Sequence, residues 1–485
     1  MSKRPILTAI LVMGLAATSA SGQLLGGQPL GGAVGGISGG IGGSAGRTLG
    51  GVGGTVGRTV GSVGGNIGSL GGPVGGALGG VGSPIQNSVQ GFGGSFGKGA
   101  MLYTFTLDRI SPPQEIFFLN SADLADWRSA RLEAFIRSYP TVLEADDQGQ
   151  PVRKGQLIAI NPDSASLAAA QRAGFRLIST QDVGELGLRI MTLSVPKGMS
   201  ARKGLKTLRA AAPRLQCDYD HVYEPAGGAL LPAVNATLAA LKPVRPGTRI
   251  AMIDGGVASH PSLAGAGIEQ RGFVGPPQPT GHGTAIGSLL VGNQGPFRGA
   301  ARGAQLFVGD VYGGNPSSGS ATAIVKALAW AASKRPAVIN ISLVGPPNRT
   351  LERAIAAVHA RGIAVVAAVG NDGPAAPPQY PASYPGVIAV TGVDAGDRAL
   401  REAGKARHLD FAAPGADLVA ALPGNGFTPV RGTSFAAPFV AARLAATGSP
   451  AVLAVEAVPG KGKVGRGIVC RSCRVAPKMV GLKIR

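Results

Sequence analysis

The sequence is poor in cysteine, in acidic residues and in aromatic residues for its length. Its 485 residues include three cysteines and 25 Asp or Glu, and 5% of the residues are aromatic. Three cysteines exclude a small scaffold held together mainly by disulfides. No apolar run of about 20 residues follows residue 22, which argues against a membrane-spanning helix. Glycine is abundant, with 79 residues, but it follows no three-residue period, and this excludes a collagen triple helix.

The shortage of acidic residues leaves a net charge of +21. The excess is spread along the chain, although residues 446–485 carry eight basic residues and one acidic residue. It forms no dense basic stripe with aromatic residues between the charges, as is typical of single-strand nucleic-acid binders. We therefore predict no specific nucleic-acid partner. A basic C-terminal tail favours attraction to an anionic surface such as lipid headgroups.

Residues 1–22 have the pattern of a secretory signal peptide. Lys3 and Arg4 form a charged start, residues 6–17 are mainly apolar, and small residues end the segment at Gly22. This pattern predicts cleavage before Gln23 and a secreted or periplasmic protein. The alternative is an anchor that is not cleaved.

A glycine-rich segment occupies residues 23–100. Between positions 24 and 100 the sequence has 32 glycines, interleaved with small apolar residues. Such a composition cannot build a packed core, so we interpret it as a flexible linker. A self-associating or surface-coating segment is the alternative interpretation.

Residues 101–240 have an ordinary globular composition. Apolar residues at helical spacing predict a helix near 124–136. The next elements follow the order βαββαβ, which is typical of a ferredoxin-like α+β unit at about 154–225. The predicted strands are 156–160, 176–178, 188–195 and 215–223, and the predicted helices are 164–174 and 201–212. This fold alone specifies no function.

Residues 241–450 alternate β-rich and helical segments. We predict strands at 249–253, 305–311, 337–342 and 363–369, with helices at 283–290, 321–333 and 351–360. The alternation favours a parallel sheet covered on both faces. Ligands of such sheets bind outside the carboxyl ends of the strands.

Four polar residues lie at element ends in this region. Asp254 follows a strand, His282 begins a helix, Asn371 follows another strand, and Ser434 begins the helix that ends near residue 446. Taken singly, each has a structural explanation: Asp254 could form a turn, and His282 could be a core histidine. Asn371 could form a turn, and Ser434 could be a helix N-cap. We place Pro438 in the first turn of the last helix, because proline is tolerated there.

Together these positions are far more specific. The chain order Asp, His, Ser is that of subtilisin. The sequences Gly-His-Gly-Thr at 281–284 and Gly-Thr-Ser-Phe-Ala-Ala-Pro at 432–438 resemble the motifs of the subtilisin-like serine proteases, the subtilases of peptidase family S8. The resemblance covers about residues 248–446. Gly255 departs from it, since the family usually has Ser or Thr there.

The resemblance implies a serine endopeptidase with a subtilisin-like, three-layer α/β catalytic domain. Ser434 would be the nucleophile, His282 the general base and acid, and Asp254 the group that orients the imidazole. Asn371 and the backbone N–H of Ser434 would bind the oxyanion. The implied substrate-binding residues are Ser342, Leu343, Val344 and Gly345 on a pairing strand, and Ala368 and Gly370 at the wall of a specificity pocket.

The resemblance also implies that residues 101–240 are a propeptide, with its ferredoxin-like unit acting as an intramolecular inhibitor. We expect its removal by a cut between about residues 224 and 242. Residues 451–485 would form a basic C-terminal tail. No metal site and no cofactor are expected, because no loop has a dense set of Asp side chains.

The cysteines predict a local disulfide and a buried thiol. Cys470 and Cys473 lack the second ligand pair of a zinc site and the βαβ context of a redox motif, so we expect them to form a disulfide. Cys217 remains as the buried thiol.

Two other functions stay open. One is a non-catalytic exported protein that binds a surface through the glycine-rich segment and the basic tail. The other is an esterase with the same triad, which the lack of Gly-x-Ser-x-Gly around Ser434 disfavours.

Overall fold

The computed structural model describes residues 121–226 and 244–482. The predicted signal peptide, the glycine-rich segment and most of the predicted cleavage window lie outside the described residues. Within them, no single helix is long and apolar enough to cross a membrane.

The N-terminal part begins with a long helix and continues into an antiparallel sheet. Its elements are α1 (Ser121–Ser138), β1 (Leu143–Ala145), β2 (Pro151–Ile160), α2 (Ser164–Arg172), β3 (Arg176–Val183), β4 (Leu188–Ser194), α3 (Ala201–Ala211) and β5 (Gln216–His221). The sheet order is β5–β2–β4–β3, and β1 pairs with the start of β2. This topology confirms the ferredoxin-like prediction. Strands β2 and β3 are longer than predicted, because both continue through polar residues at exposed positions.

A parallel seven-stranded sheet forms the centre of the second part, in the order β16–β15–β14–β12–β7–β11–β8. Its strands are β7 (Arg249–Asp254), β8 (Ile268–Gly272), β11 (Gln305–Asp310), β12 (Val338–Ile341), β14 (Ala364–Ala368), β15 (Ile388–Val393) and β16 (Phe411–Pro414). The remaining strands are short: β6 (Glu224–Pro225), β9 (Asn293–Gln294), β10 (Phe297–Arg298), β13 (Leu343–Val344), β17 (Leu418–Ala421) and β18 (Phe427–Val430).

Helices cover both faces of this sheet, which confirms the three-layer α/β prediction. They are α4 (Gly281–Val291), α5 (Ala321–Ser333), α6 (Arg349–His359), α7 (Thr433–Thr447) and α8 (Pro450–Glu456), with single 3₁₀ turns at Gly184–Leu186, Pro261–Leu263, Pro316–Ser318, Arg471–Cys473 and Pro477–Val480. Successive side chains of a strand point to opposite faces. Ile250 and Met252 of β7 accordingly pack with α4 and α7, while Ala251 and Ile253 pack with α5 and α6.

The described part of the C-terminal tail packs against this domain. Ile468 forms β-bridges with Ala412 and Val458. The buried guanidinium of Arg474 donates to the backbone carbonyls of Ala416, Val393 and Asp394. Cys470 and Cys473 form the predicted disulfide, and Cys217 is a buried free thiol in β5. At least one positive charge of the tail, that of Arg474, is therefore buried in contacts with the domain.

Candidate active site

The end of one strand and the starts of two helices bring Asp254, His282 and Ser434 into one chain of hydrogen bonds. Asp254 ends β7, and His282 and Ser434 are the second residues of α4 and α7. The His282 Nδ1–H donates to Asp254 Oδ1 and Oδ2 at 2.9 and 3.0 Å, and the Ser434 hydroxyl lies 3.0 Å from His282 Nε2. All three side chains are buried. With Nδ1 as the donor, Nε2 is free to accept the proton of the serine hydroxyl.

Glycines let the helix that carries His282 approach the end of β7. A β-carbon on Gly283 would collide with the Gly255 carbonyl oxygen. A β-carbon on Gly255 would collide with the Thr280 hydroxyl, which caps α4 by accepting from the Gly283 N–H at 2.9 Å. Such a cap is worth about 1 kcal/mol. The side chain of Thr280 thus fills the space that any side chain at position 255 would need.

A second buried carboxylate, which sequence analysis missed, lies beside Asp254. Asp310 ends β11 directly opposite Asp254 in the parallel register. It accepts hydrogen bonds from the backbone N–H groups of Gln278, Tyr312 and Gly313 at 2.8–3.0 Å. Burial nevertheless raises the pKa of Asp310 above its ordinary value. Its position at a strand end was the available signal, and its contacts shape the loop that leads into α4.

The side chain of Asn371 joins the turn after β14 to the start of α7. Its Oδ1 accepts from the Thr433 N–H at 3.0 Å. The Thr433 hydroxyl in turn lies 3.1 Å from both the N–H and the carbonyl oxygen of Gly370. Gly432 is the N-cap residue of α7 and makes no side-chain cap. Ser434 is therefore not the helix cap.

The chain's own residues 223–226 occupy the groove in front of these groups. Strand β6 pairs antiparallel with β13, and the Ala226 N–H donates to the Ser342 carbonyl at 2.9 Å. On the other edge, the Tyr223 N–H donates to the Gly319 carbonyl at 2.8 Å. The strand predicted to bind substrate, residues 342–345, thus pairs with a segment of the same chain.

The carbonyl oxygen of Ala226 accepts hydrogen bonds from both groups expected to bind an oxyanion. The Ser434 N–H lies 3.1 Å from it, and Asn371 Nδ2 lies 2.5 Å from it. Hydrogen-bond donors at this spacing around a carbonyl oxygen are suited to stabilise negative charge that develops there.

Pro438 lies one turn further along α7 than predicted. It is the sixth residue of the helix, so it removes the hydrogen bond to the Ser434 carbonyl. The Ser342 hydroxyl donates to that carbonyl at 3.0 Å, and the Asn340 amide donates to the Ser342 hydroxyl at 3.0 Å. The side chain of Ser342 therefore compensates for the proline and steadies the start of α7.

Helix α1 contacts the groove through two arginines. Arg131 donates to both Glu224 carboxylate oxygens at 2.7 Å and to Asp372 at 3.1 Å, and Arg128 donates to Asp372 at 2.8 Å. Burial alone would lower the pKa of Arg131, but the carboxylates of Glu224 and Asp372 raise it above its ordinary value. These ion pairs link residues more than 90 positions apart in the sequence, so no local sequence pattern predicts them.

Comparisons with known proteins agree on one family. A model described as the Subtilase family matches residues 245–452. Subtilisin Savinase from Lederbergia lenta is 35% identical over 203 residues, which are 40% of this chain and 74% of that protein. Thermitase from Thermoactinomyces vulgaris is 35% identical over 204 residues, which are 72% of its length. The chain spans about half, 52%, of an alkaline protease from Shouchella clausii at 35% identity.

Two solved structures share the fold over a longer stretch. Fervidolysin from Fervidobacterium pennivorans, a keratinolytic enzyme related to subtilisin, matches with a TM-score of 0.55 at 18% identity, over 68% of this chain and 62% of that one. An epidermin leader peptide processing serine protease from Staphylococcus aureus matches with a TM-score of 0.51 at 16% identity, over 68% of this chain and 100% of that one. At these identities the likeness concerns the fold alone.

Proposed function

This chain belongs to the subtilase family of serine proteases, and we propose that it is exported as an inhibited precursor. Its substrates are proteins or peptides, and its N-terminal part is both its first substrate and its inhibitor. The carrying observation is the Ala226 carbonyl oxygen, which accepts from the Ser434 N–H and from Asn371 Nδ2. A peptide bond held in this way is ready for attack by the neighbouring serine hydroxyl.

The hydrogen bonds between Asp254, His282 and Ser434 support the roles that these residue types have in a serine protease. Ser434 Oγ attacks the carbonyl carbon while His282 Nε2 takes its proton. Asp254 holds the imidazole through Nδ1–H and stabilises its cation. The tetrahedral oxyanion is stabilised by Asn371 and the Ser434 N–H. His282 then donates the proton to the leaving amine, and water later hydrolyses the acyl-enzyme at Ser434.

The contacts of Ala226 narrow the expected cleavage window to one bond. Within the window 224–242, the carbonyl that accepts from both oxyanion donors belongs to Ala226. The cut therefore falls between Ala226 and Gly227. It separates an N-terminal product ending at Ala226 from the catalytic part, and the groove still holds residues 223–226 afterwards.

Polar contacts from β5 support inhibition after the cut. Asp218 accepts from the Arg349 N–H at the start of α6, at 2.9 Å. Asp220 accepts from the Thr322 N–H at the start of α5, also at 2.9 Å. Carboxylates are favoured at helix N-termini, where the backbone N–H groups are unpaired. Together with Arg128 and Arg131 of α1, these groups keep the N-terminal part on the enzyme once the chain is cleaved.

The test is the intact mass of freshly purified wild-type chain and of its Ser434→Ala variant. We expect the wild type to give a C-terminal fragment that begins at Gly227, and the variant to remain one chain from Gln23. Ser449→Ala, which changes the partly exposed cap of α8, is the matched control and should be cut like the wild type. A wild-type spectrum with one uncut chain from Gln23 would contradict the proposal.

A further inference from the structure

We propose that the cleft selects substrates with a residue no larger than alanine at the attacked carbonyl and with tyrosine three residues before it. The inference rests on the proposed function and adds the substrate class to it. In the bound segment these two positions are Ala226 and Tyr223. The evidence is the shape of the two pockets that these side chains fill.

The alanine pocket is narrow because two side chains of the catalytic part fill it. The register pairs Val344 with Glu224, and the antiparallel ladder continues to Ser342 and Ala226. Val344 and Ala226 are therefore diagonal neighbours with their side chains on the same face, and both belong to one buried apolar cluster. Ala226 itself is 2% exposed. A larger side chain at this position would have to displace Val344.

Gln379 closes the same space from the other side. A β-carbon placed on Gly370 would lie 3.3 Å from both Val344 Cγ1 and Gln379 Cγ. Gln379 is buried, and its amide donates to the Pro377 carbonyl at 2.8 Å. Both side chains thus converge beside the turn that carries the oxyanion donor Asn371. Since packed side chains yield little, this arrangement leaves room for a methyl group and excludes aromatic rings.

The tyrosine pocket recognises both the ring and the hydroxyl. Tyr223 is fully buried, and its ring lies on Gly345, where any β-carbon would overlap Cδ1 and Cε1. The Tyr223 hydroxyl donates to the Pro346 carbonyl at 2.8 Å. The Tyr312 hydroxyl donates to the Tyr223 carbonyl at 3.1 Å. A phenylalanine would leave the Pro346 carbonyl without this donor, and an unpaired buried acceptor is costly.

The two middle positions, Glu224 and Pro225, are only partly buried. Glu224 is held mainly by Arg131 of α1, which departs with the N-terminal part. The inferred substrate pattern is therefore Tyr-x-x-Ala, with cleavage after the alanine.

The test uses the self-processed enzyme after trace-trypsin treatment, with acetyl-Tyr-Ala-Pro-Ala-p-nitroanilide as the probe. Replacing the last alanine by phenylalanine should lower kcat/KM by about a hundredfold. Replacing the tyrosine by phenylalanine should lower it by about tenfold. A Val344→Gly/Gln379→Gly variant should gain at least about tenfold on the phenylalanine-ended peptide relative to the alanine-ended one. Gln379→Ala alone should give a smaller gain in the same direction.

A fluorophosphonate probe that labels Ser434 separates the outcomes. Labelled enzyme that cleaves the phenylalanine-ended peptide as well as the alanine-ended one, or that ignores the tyrosine hydroxyl, overturns this inference alone. Folded enzyme that is not labelled and cleaves no peptide overturns the proposed function as well.

Discussion

The catalytic part and the N-terminal part contribute different kinds of interaction at the same groove. Within the catalytic part, Asp254, His282 and Ser434 are joined by side-chain hydrogen bonds, and Asn371 Oδ1 accepts from the Thr433 N–H. The N-terminal part instead adds charges from outside, because Arg128 and Arg131 form ion pairs with Asp372 of the catalytic part. The first set survives removal of residues before Gly227. The second set is lost with that removal, as the proposed release of the inhibitor requires.

The largest effect expected on the internal set follows from removing the amide donor. Asn371→Ala should lower kcat on casein by about 10²–10³ with little change in KM, because this donor acts mainly in the transition state. Asn371→Asp is the matched variant, since its Oδ1 can still accept from the Thr433 N–H. Equal losses in both variants would indicate loss of the donor. A loss in Asn371→Ala alone would assign the effect to the helix contact and contradict the oxyanion role.

A smaller effect is expected when the external charges are removed. Arg131→Met removes the ion pair with Asp372 of the catalytic part, so the cleaved N-terminal part should dissociate faster by on the order of tenfold to a hundredfold. The measurement is the time course of casein-hydrolysing activity after self-cleavage. Arg137→Met changes an exposed arginine of the same helix that pairs with Glu133, and it should behave like the wild type. Identical time courses for the two variants would show that the ion pair of Arg131 with Asp372 does not contribute to inhibition.

The smallest effect concerns the acid sensitivity of the N-terminal part. Burial alone would raise the pKa of Asp146, but hydrogen bonds from His221 and from the backbone of Gln150 and Gln148 lower it. The native carboxylate therefore contributes stability above its ordinary pKa of 3.8, and this contribution is lost as the pH falls below that value.

Thermal unfolding of the uncut Ser434→Ala chain, with and without Asp146→Asn, measures this contribution. The difference in Tm between the two chains should be constant at pH 5–6 and should shrink as the pH falls towards 3. A difference that grows with acid would contradict the assigned sign of the pKa shift.

Sequence patterns predicted the elements that are uniform in chemistry. Strands β7, β11, β12 and β14 are buried on both faces, so each consists mainly of apolar residues. Helix α5 was predicted at its observed bounds, Ala321–Ser333. Strand β8, Ile268–Gly272, was missed because it is a largely exposed edge strand with a polar sequence. Strand β15 was missed although its apolar run, Ile388–Val393, was available as a signal.

The triad positions could be predicted because each lies in a short motif at an element end. That residues 223–226 occupy the groove could not be predicted from the sequence. The contact between Ala226 and Asn371 spans 145 positions, and that between Arg128 and Asp372 spans 244. Both depend on how the two parts pack, and a helix such as α1 carries the same sequence signal whatever it packs against. The narrowing by Val344 and Gln379 likewise appears only when both side chains meet beside Gly370.

The central claim is that Ser434, in its chain of hydrogen bonds with His282 and Asp254, hydrolyses peptide bonds. The most direct measurement is casein hydrolysis by the purified wild type and by Ser434→Ala, each after trace-trypsin treatment to remove the N-terminal part. The account predicts hydrolysis by the wild type and a loss of about 10⁶-fold in the variant. If both proteins are folded and neither hydrolyses casein, or if both do so equally, the account is contradicted, and in the first case the surface-binding alternative becomes the better explanation.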